Sequence, residues 1–146
     1  PSGPCLEPDY LARAVELCER LGFVAQPGSH ALDRLGYLAG TDAHRLRDLN
    51  VALRDPDVQA VWCLRGGYGC AQLVADIDWA LLQQASPRPL IGFSDLSVLL
   101  EAFSQHGLPA IHGPVATALG HQVLSAPGGQ RERLASMQAL WDLLKG

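Results

Sequence analysis

Pro89-Leu90-Ile91-Gly92-Phe93-Ser94-Asp95-Leu96 is the stretch from which the fold can be read. Its first five residues make a short apolar run with strand character. Ser94-Asp95 then opens a helix whose apolar stripe is Leu96, Leu99, Leu100 and Phe103, and Gly107 closes it. A strand that runs through a tight turn into a helix is the repeating unit of an α/β domain.

The same alternation extends in both directions. Residues 8–21 read as a helix with Leu11, Val15, Cys18 and Leu21 on one stripe, Pro8 in its first turn and Gly22 at its stop. Phe23-Val24-Ala25 reads as a short strand, and the aperiodic stretch 27–40 as a loop. Thr41 is a suitable N-cap for a helix to about Arg54, with Leu46, Leu49 and Leu53 inward. Val58 to Leu64 is β-branched and aromatic and reads as a buried strand. A glycine loop, Arg65-Gly66-Gly67-Tyr68-Gly69, leads into a helix to about Ala75, and a further short helix is expected over 77–85. Beyond the central stretch, Ala110-Ile111-His112 reads as a strand and 114–120 as helical. A last helix is expected over 130–144, with Leu134, Met137, Leu140, Trp141 and Leu144 inward. The expected architecture is one α/β domain with a mostly parallel sheet and helices on both faces, a three-layer sandwich of the flavodoxin-like or glutamine-amidotransferase-like kind.

Bulk composition agrees. The 146 residues suit one domain, and 48% hydrophobic with 18% charged residues is a globular balance. A net charge of −4 with scattered basic residues gives no electrostatic reason to bind nucleic acid or an anionic membrane. The apolar runs, such as Val61-Trp62-Cys63-Leu64, are far short of the ~20 residues of a membrane span. Cys5, Cys18, Cys63 and Cys70 show no C-x-x-C or Cys/His metal spacing and read as structural thiols. No signal peptide is visible and the chain starts at Pro1, so it is expected to be a fragment or a processed chain.

In parallel sheets ligands sit off the carboxyl ends of the strands. Two segments are expected there, the glycine loop 65–69 and the turn at Ser94. At such a turn a serine oxygen is exposed, and free N–H groups with a helix dipole behind them face the same spot. A nucleophilic serine needs both, one for attack and one for the oxyanion that follows. Serine is also a preferred N-cap, and Leu96 stands where an α/β-hydrolase elbow has glycine. In the loop, Gly66, Gly67 and Gly69 permit positive φ and close approach to a ligand, with an oxyanion donor from Gly67 and a substrate-facing wall from Arg65 and Tyr68. The loop matches neither G-x-x-x-x-G-K-[ST] nor G-x-G-x-x-G. A tight turn with no ligand explains it equally well. His112 reads better as a hydrogen-bonded histidine, in the core or supporting the site from behind, than as a base. His30, His44, His106 and His121 are expected to be solvated, and Asp95 is explained by the helix dipole alone. The residues thus single out a serine and a glycine loop, with no evident base.

With Arg65-Gly66-Gly67-Tyr68-Gly69 followed by Gly92-Phe93-Ser94-Asp95, the chain resembles the LD-carboxypeptidases, serine peptidases of murein recycling. The likeness continues through His112-Gly113-Pro114, Tyr37-Leu38-Ala39-Gly40 and Pro1-Ser2-Gly3. The resemblance implies that Ser94 is the nucleophile and that backbone N–H groups near Gly67 and Asp95 form the oxyanion hole. It also implies a cytoplasmic enzyme without metal or cofactor, expected to be a homodimer, that releases terminal D-alanine from a murein tetrapeptide. The family's triad runs Ser, Glu, His, and its Glu and His lie in a C-terminal domain. Residues 1–146 are therefore expected to be the N-terminal, nucleophile-bearing domain, inactive by itself. Two alternatives stay open: a related hydrolase acting on peptide–nucleotide antibiotics, and a non-catalytic peptide-binding module.

Overall fold

The computed structural model describes residues 1–84, 88–125, 138 and 142. Three short strands form one parallel sheet: β1 (Val61–Trp62), β2 (Leu90–Gly92) and β3 (Ala110–His112), in the order β1-β2-β3. Leu90 pairs with Val61 on one side and with Ala110 on the other, which puts the 89–93 stretch at the centre. Helices fill the connections: α1 (Pro8–Arg20), α2 (Asp42–Arg54), α3 (Cys70–Leu73), α4 (Trp79–Gln84), α5 (Ser97–Gln105) and α6 (Ala116–Ser125). Among the described residues, no helix is long and apolar enough to cross a membrane.

Because side chains alternate across a strand, Leu90 and Ile91 face opposite sides of the sheet. Leu90 joins a core with Leu49 and Leu53 of α2, Cys70 of α3, Leu82 of α4, and Leu99, Leu100 and Phe103 of α5. Ile91 joins a second core with Leu17 and Leu21 from α1 and its C-terminal end, and Val123 of α6. Helices therefore cover both faces, as the alternating pattern requires.

Several elements differ from their expected form. In α1 the buried stripe is Ala14, Leu17 and Leu21, while Leu11, Val15 and Cys18 are only partly covered. The helix has rotated because α6 comes close at Gly120, where a Cβ would stand 2.9 Å from the Arg13 carbonyl carbon and 3.0 Å from Ala14 N. A small residue, Ala14, faces that contact. Phe23-Val24-Ala25 is not a strand: Phe23 N–H donates back to Cys18 O after Gly22 turns at φ +83°, and Val24 is 96% exposed. Val58–Leu64 shrinks to two paired residues, although Cys63 N–H still donates to Ile91 O. The helix opened at Ser94 starts as a 3₁₀ turn, Ser94–Leu96, before α5 proper. The C-terminal helix over 130–144 lies almost wholly outside the described residues.

Cys63, at the end of β1, is a core thiol 3% exposed, and burial pushes its pKa from 9.0 up to about 11. The folded state therefore holds a proton that the unfolded state releases first. Stability from this group is complete below about pH 9 and is lost as pH rises toward about 11. At about 1.4 kcal/mol per pKa unit the loss amounts to roughly 2–3 kcal/mol. Urea unfolding across that window should show the decline in the native chain and a smaller one in Cys63→Ala.

Candidate active site

The strand ends bring two turns together. β1 runs through Cys63-Leu64 into the glycine loop, and β2 runs through Phe93 into Ser94. A Cβ added at Gly66 would lie 3.1 Å from Ser94 Cβ, 3.4 Å from Ser94 Oγ and 3.3 Å from Phe93 O. The loop thus lies directly against the serine, and only glycine fits there without displacing it.

Ser94 has φ +68°, and it is the one non-glycine residue with positive φ among the described residues. A left-handed conformation costs an ordinary L-residue roughly 1–2 kcal/mol, so something must hold it. It is not held as an N-cap. Phe93 occupies the cap position of the 3₁₀ turn, and no side chain caps either that turn or α5. The turn presents the exposed Ser94 side chain at the sheet's carboxyl edge. Ser97 N–H donates to Ser94 O, the first bond of the turn, which leaves the N–H of Asp95 ahead of any intrahelical partner. Gly92, two residues before the serine, makes room for Leu96: a Cβ at Gly92 would fall 2.5 Å from Leu96 Cδ1. The leucine two residues after Ser94 is therefore compatible with a sharp turn because the glycine before it takes up the space.

Asp95 fixes this turn. Its Oδ2 accepts from Ser2 Oγ at 2.6 Å and from Cys70 N–H at 3.1 Å. The carboxylate joins the N-terminal segment, the start of α3 and the serine turn, which corrects the view that a helix dipole explains it. Burial, reinforced by hydrogen bonding to and the charge of Asp95, pushes the Cys70 thiol far up and keeps it protonated. Arg45, 2% exposed, closes the other side of the loop. Its Nη1 donates to Pro1 O and Gly69 O, and its Nη2 to Asp42 Oδ1 and Gln72 Oε1. Ser2, the Asp95 side chain and Arg45 were not visible as site residues in the sequence. Ser and Asp are common in turns, and an Arg on a polar helix gives no sign that it is buried.

The remaining expected residues are placed as follows. Gly67 has φ +141° and is exposed, and a Cβ on it would meet Gly3 Cα at 2.9 Å. Gly3 itself is pressed between Gly66 O (2.8 Å from an added Cβ) and Tyr37 O (3.7 Å). Tyr68 is 68% exposed and meets Tyr37 edge-on at 5.8 Å. Arg65 Nη1 donates to Pro4 O at 2.8 Å, so its guanidinium is spent in part on anchoring the N-terminal segment. His112 is exposed at the end of β3 and packs against Phe93, with centroids 6.5 Å apart, so it is not a core histidine. The other histidines are engaged and not simply solvated. His106 stacks on Trp79, His121 contacts Arg13, and His30 and His44 bind carboxylates. Among the described residues, none hydrogen-bonds Ser94 Oγ. The arrangement can present a hydroxyl and backbone donors to a carbonyl carbon.

The sequence model of the LD-carboxypeptidase N-terminal domain matches residues 1–113. The chain is 58% identical over 138 residues to a murein tetrapeptide carboxypeptidase of Pseudomonas aeruginosa, covering 94% of this chain and 45% of that protein. In structure it resembles a muramoyltetrapeptide carboxypeptidase from Oxalobacter formigenes, with TM-score 0.70, 30% identity, and 78% of this chain and 38% of that one covered. The microcin C7 self-immunity protein MccF shares the fold at TM-score 0.77 and 23% identity, over 90% of this chain and 38% of that one. The chain spans less than half the length of these relatives.

Strain at Ser94 has a measurable consequence. Ser94→Gly, which relieves the left-handed backbone, should unfold at a free energy roughly 1 kcal/mol above that of Ser94→Ala, which retains it. Equal stabilities in urea unfolding would mean that the turn is not strained.

Proposed function

The chain belongs to the LD-carboxypeptidase family through its N-terminal domain, and from that premise we propose that it supplies the nucleophile and oxyanion hole of a serine peptidase that releases terminal D-alanine from murein tetrapeptide. In this reading Ser94 Oγ attacks the carbonyl carbon of the bond between an L-centre and D-alanine. The oxyanion forms against the N–H groups of Gly67 and Asp95. The amine of D-alanine leaves with a proton, and water hydrolyses the acyl-serine. Arg65, Gly66 and Tyr68 line the approach to the peptide. The observation that carries the reading is Ser94 in a left-handed turn, set against Gly66 and just before the Asp95 N–H that precedes the turn's first backbone bond.

An unassisted serine hydroxyl is a poor nucleophile near neutral pH. We therefore assign the general base, a His oriented by Glu, to a C-terminal domain outside residues 1–146. The 58%-identical relative, of which this chain covers 45%, supports a larger enzyme. The proposed setting is cytoplasmic murein recycling by a homodimer without a cofactor.

The test is D-alanine release from a murein tetrapeptide by this chain mixed with the complementary C-terminal region. The mixture should turn over and either part alone should not. Ser94→Ala should lower turnover by about 10³-fold or more, the scale on which removing a serine nucleophile acts. Turnover that survives Ser94→Ala would refute the assignment.

A further inference from the structure

A second cluster of reactive side chains lies outside the Ser94 turn. His30, Asp33 and His44 each offer one ligand atom, and all these atoms lie within 4.8 Å of one another. His30 and Asp33 come from the 27–40 loop and His44 from the first turn of α2. His44 Nδ1 is 2.8 Å from Asp33 Oδ2. Ligand bonds of roughly 2.0–2.2 Å set at the tetrahedral angle put neighbouring donor atoms about 3.4 Å apart. The pair, now joined by a hydrogen bond, would have to open by only about 0.6 Å to hold one ion between its two atoms. The two imidazoles are stacked, with centroids 4.1 Å apart and 27° between planes. An ion lies in the plane of each imidazole that binds it, so one ring would turn out of this stack when the two share an ion.

Asp48, one turn further along α2, supports the cluster from behind. Its Oδ1 is 2.7 Å from His30 Nδ1, and its Oδ2 accepts from His30 N–H at 2.8 Å. A carboxylate on one ring nitrogen fixes the tautomer and leaves the other nitrogen with its lone pair, the usual support for a metal-bound imidazole. Two glycines make room for the carboxylates. A Cβ at Gly28 would stand 2.4 Å from Asp48 Oδ2, and one at Gly40, where φ is +85°, would stand 3.0 Å from Asp33 Cβ. The backbone is cut back at both acids.

We propose that His30, Asp33 and His44 bind one divalent transition-metal ion such as Zn²⁺, with water completing the coordination. Two imidazole nitrogens and one carboxylate favour that class over Ca²⁺ or Mg²⁺, which prefer all-oxygen sites. The ion's ligands come from neither the glycine loop nor the serine turn, so it takes no part in the chemistry at Ser94. Its effect is to pin the 27–40 loop to α2. That loop carries Tyr37 against Tyr68, and its Ala39 N–H donates to Ser2 O. Metal occupancy would thus stiffen one wall of the proposed peptide site.

The experiment is titration of chelator-stripped protein with Zn²⁺ by calorimetry and with Co²⁺ by absorption, alongside thermal melts. One equivalent should bind, Co²⁺ should show d–d bands without thiolate charge transfer, and Zn²⁺ should raise the melting temperature by several degrees. His44→Gln and, separately, Asp33→Asn should each weaken binding at least about tenfold while leaving the metal-free melt in place. Both sites are substantially solvent-exposed, with side-chain exposures of 46% and 39%. No stoichiometric binding, thiolate charge-transfer bands that place the ion on cysteine, or unchanged affinity in both variants would overturn the proposal.

Discussion

The two hydrogen bonds accepted by the Asp95 carboxylate are the constraint on which the site depends. Through one oxygen, Oδ2, the residue next to the serine is tied to Ser2 and to the first N–H of α3. Hydrogen bonds to a charged group are worth roughly 1.5–3 kcal/mol each. Two of them exceed the roughly 1–2 kcal/mol that a left-handed serine costs, so the turn can stay strained. Without this tie, Ser94 would have no reason to leave the ordinary helical region and the glycine loop nothing to be held against.

The glycines and Arg45 complete the arrangement from the other side. Gly66 and Gly67 leave no side chain between the loop, the serine and the N-terminal segment. Arg45 holds the segment and the loop in one grip through Pro1 O and Gly69 O. Among the described residues its buried Nε has no partner, a cost accepted where one guanidinium serves two backbone carbonyls and two side chains at once. The result is a cradle around Ser94, built from residues that fix the position of the serine turn. This arrangement is consistent with a domain that contributes nucleophile and oxyanion donors while the base arrives from elsewhere.

Much of the fold was legible because its signals are local. The stripe Leu96, Leu99, Leu100 and Phe103 is buried as its spacing required, β3 has the expected bounds, and Thr41 Oγ1 caps α2 by accepting from His44 N–H. Apart from Phe23, which the nearby end of α1 holds, the misses share one cause: they depend on contacts between distant segments. The face of α1 was set by Gly120, about a hundred residues away, and not by the largest apolar residues of the helix. Phe23 was claimed by the end of α1 before it could join the sheet. Within the site, Ser94 and the glycine loop were legible from the strand–turn–helix pattern. Ser2, Arg45 and the side chain of Asp95 were not, because a buried polar network gives no periodic signal. The pairing of His30 with Asp48 and of His44 with Asp33 was hidden for the same reason.

The most direct test of the central claim is a crystal structure of the complete enzyme after reaction with a serine-directed phosphonate that mimics the tetrahedral intermediate. The account predicts a covalent bond to Ser94 Oγ, with one phosphonyl oxygen within hydrogen-bonding distance of both Gly67 N and Asp95 N. An adduct on another residue, or one on Ser94 whose oxygen points away from both donors, would contradict it.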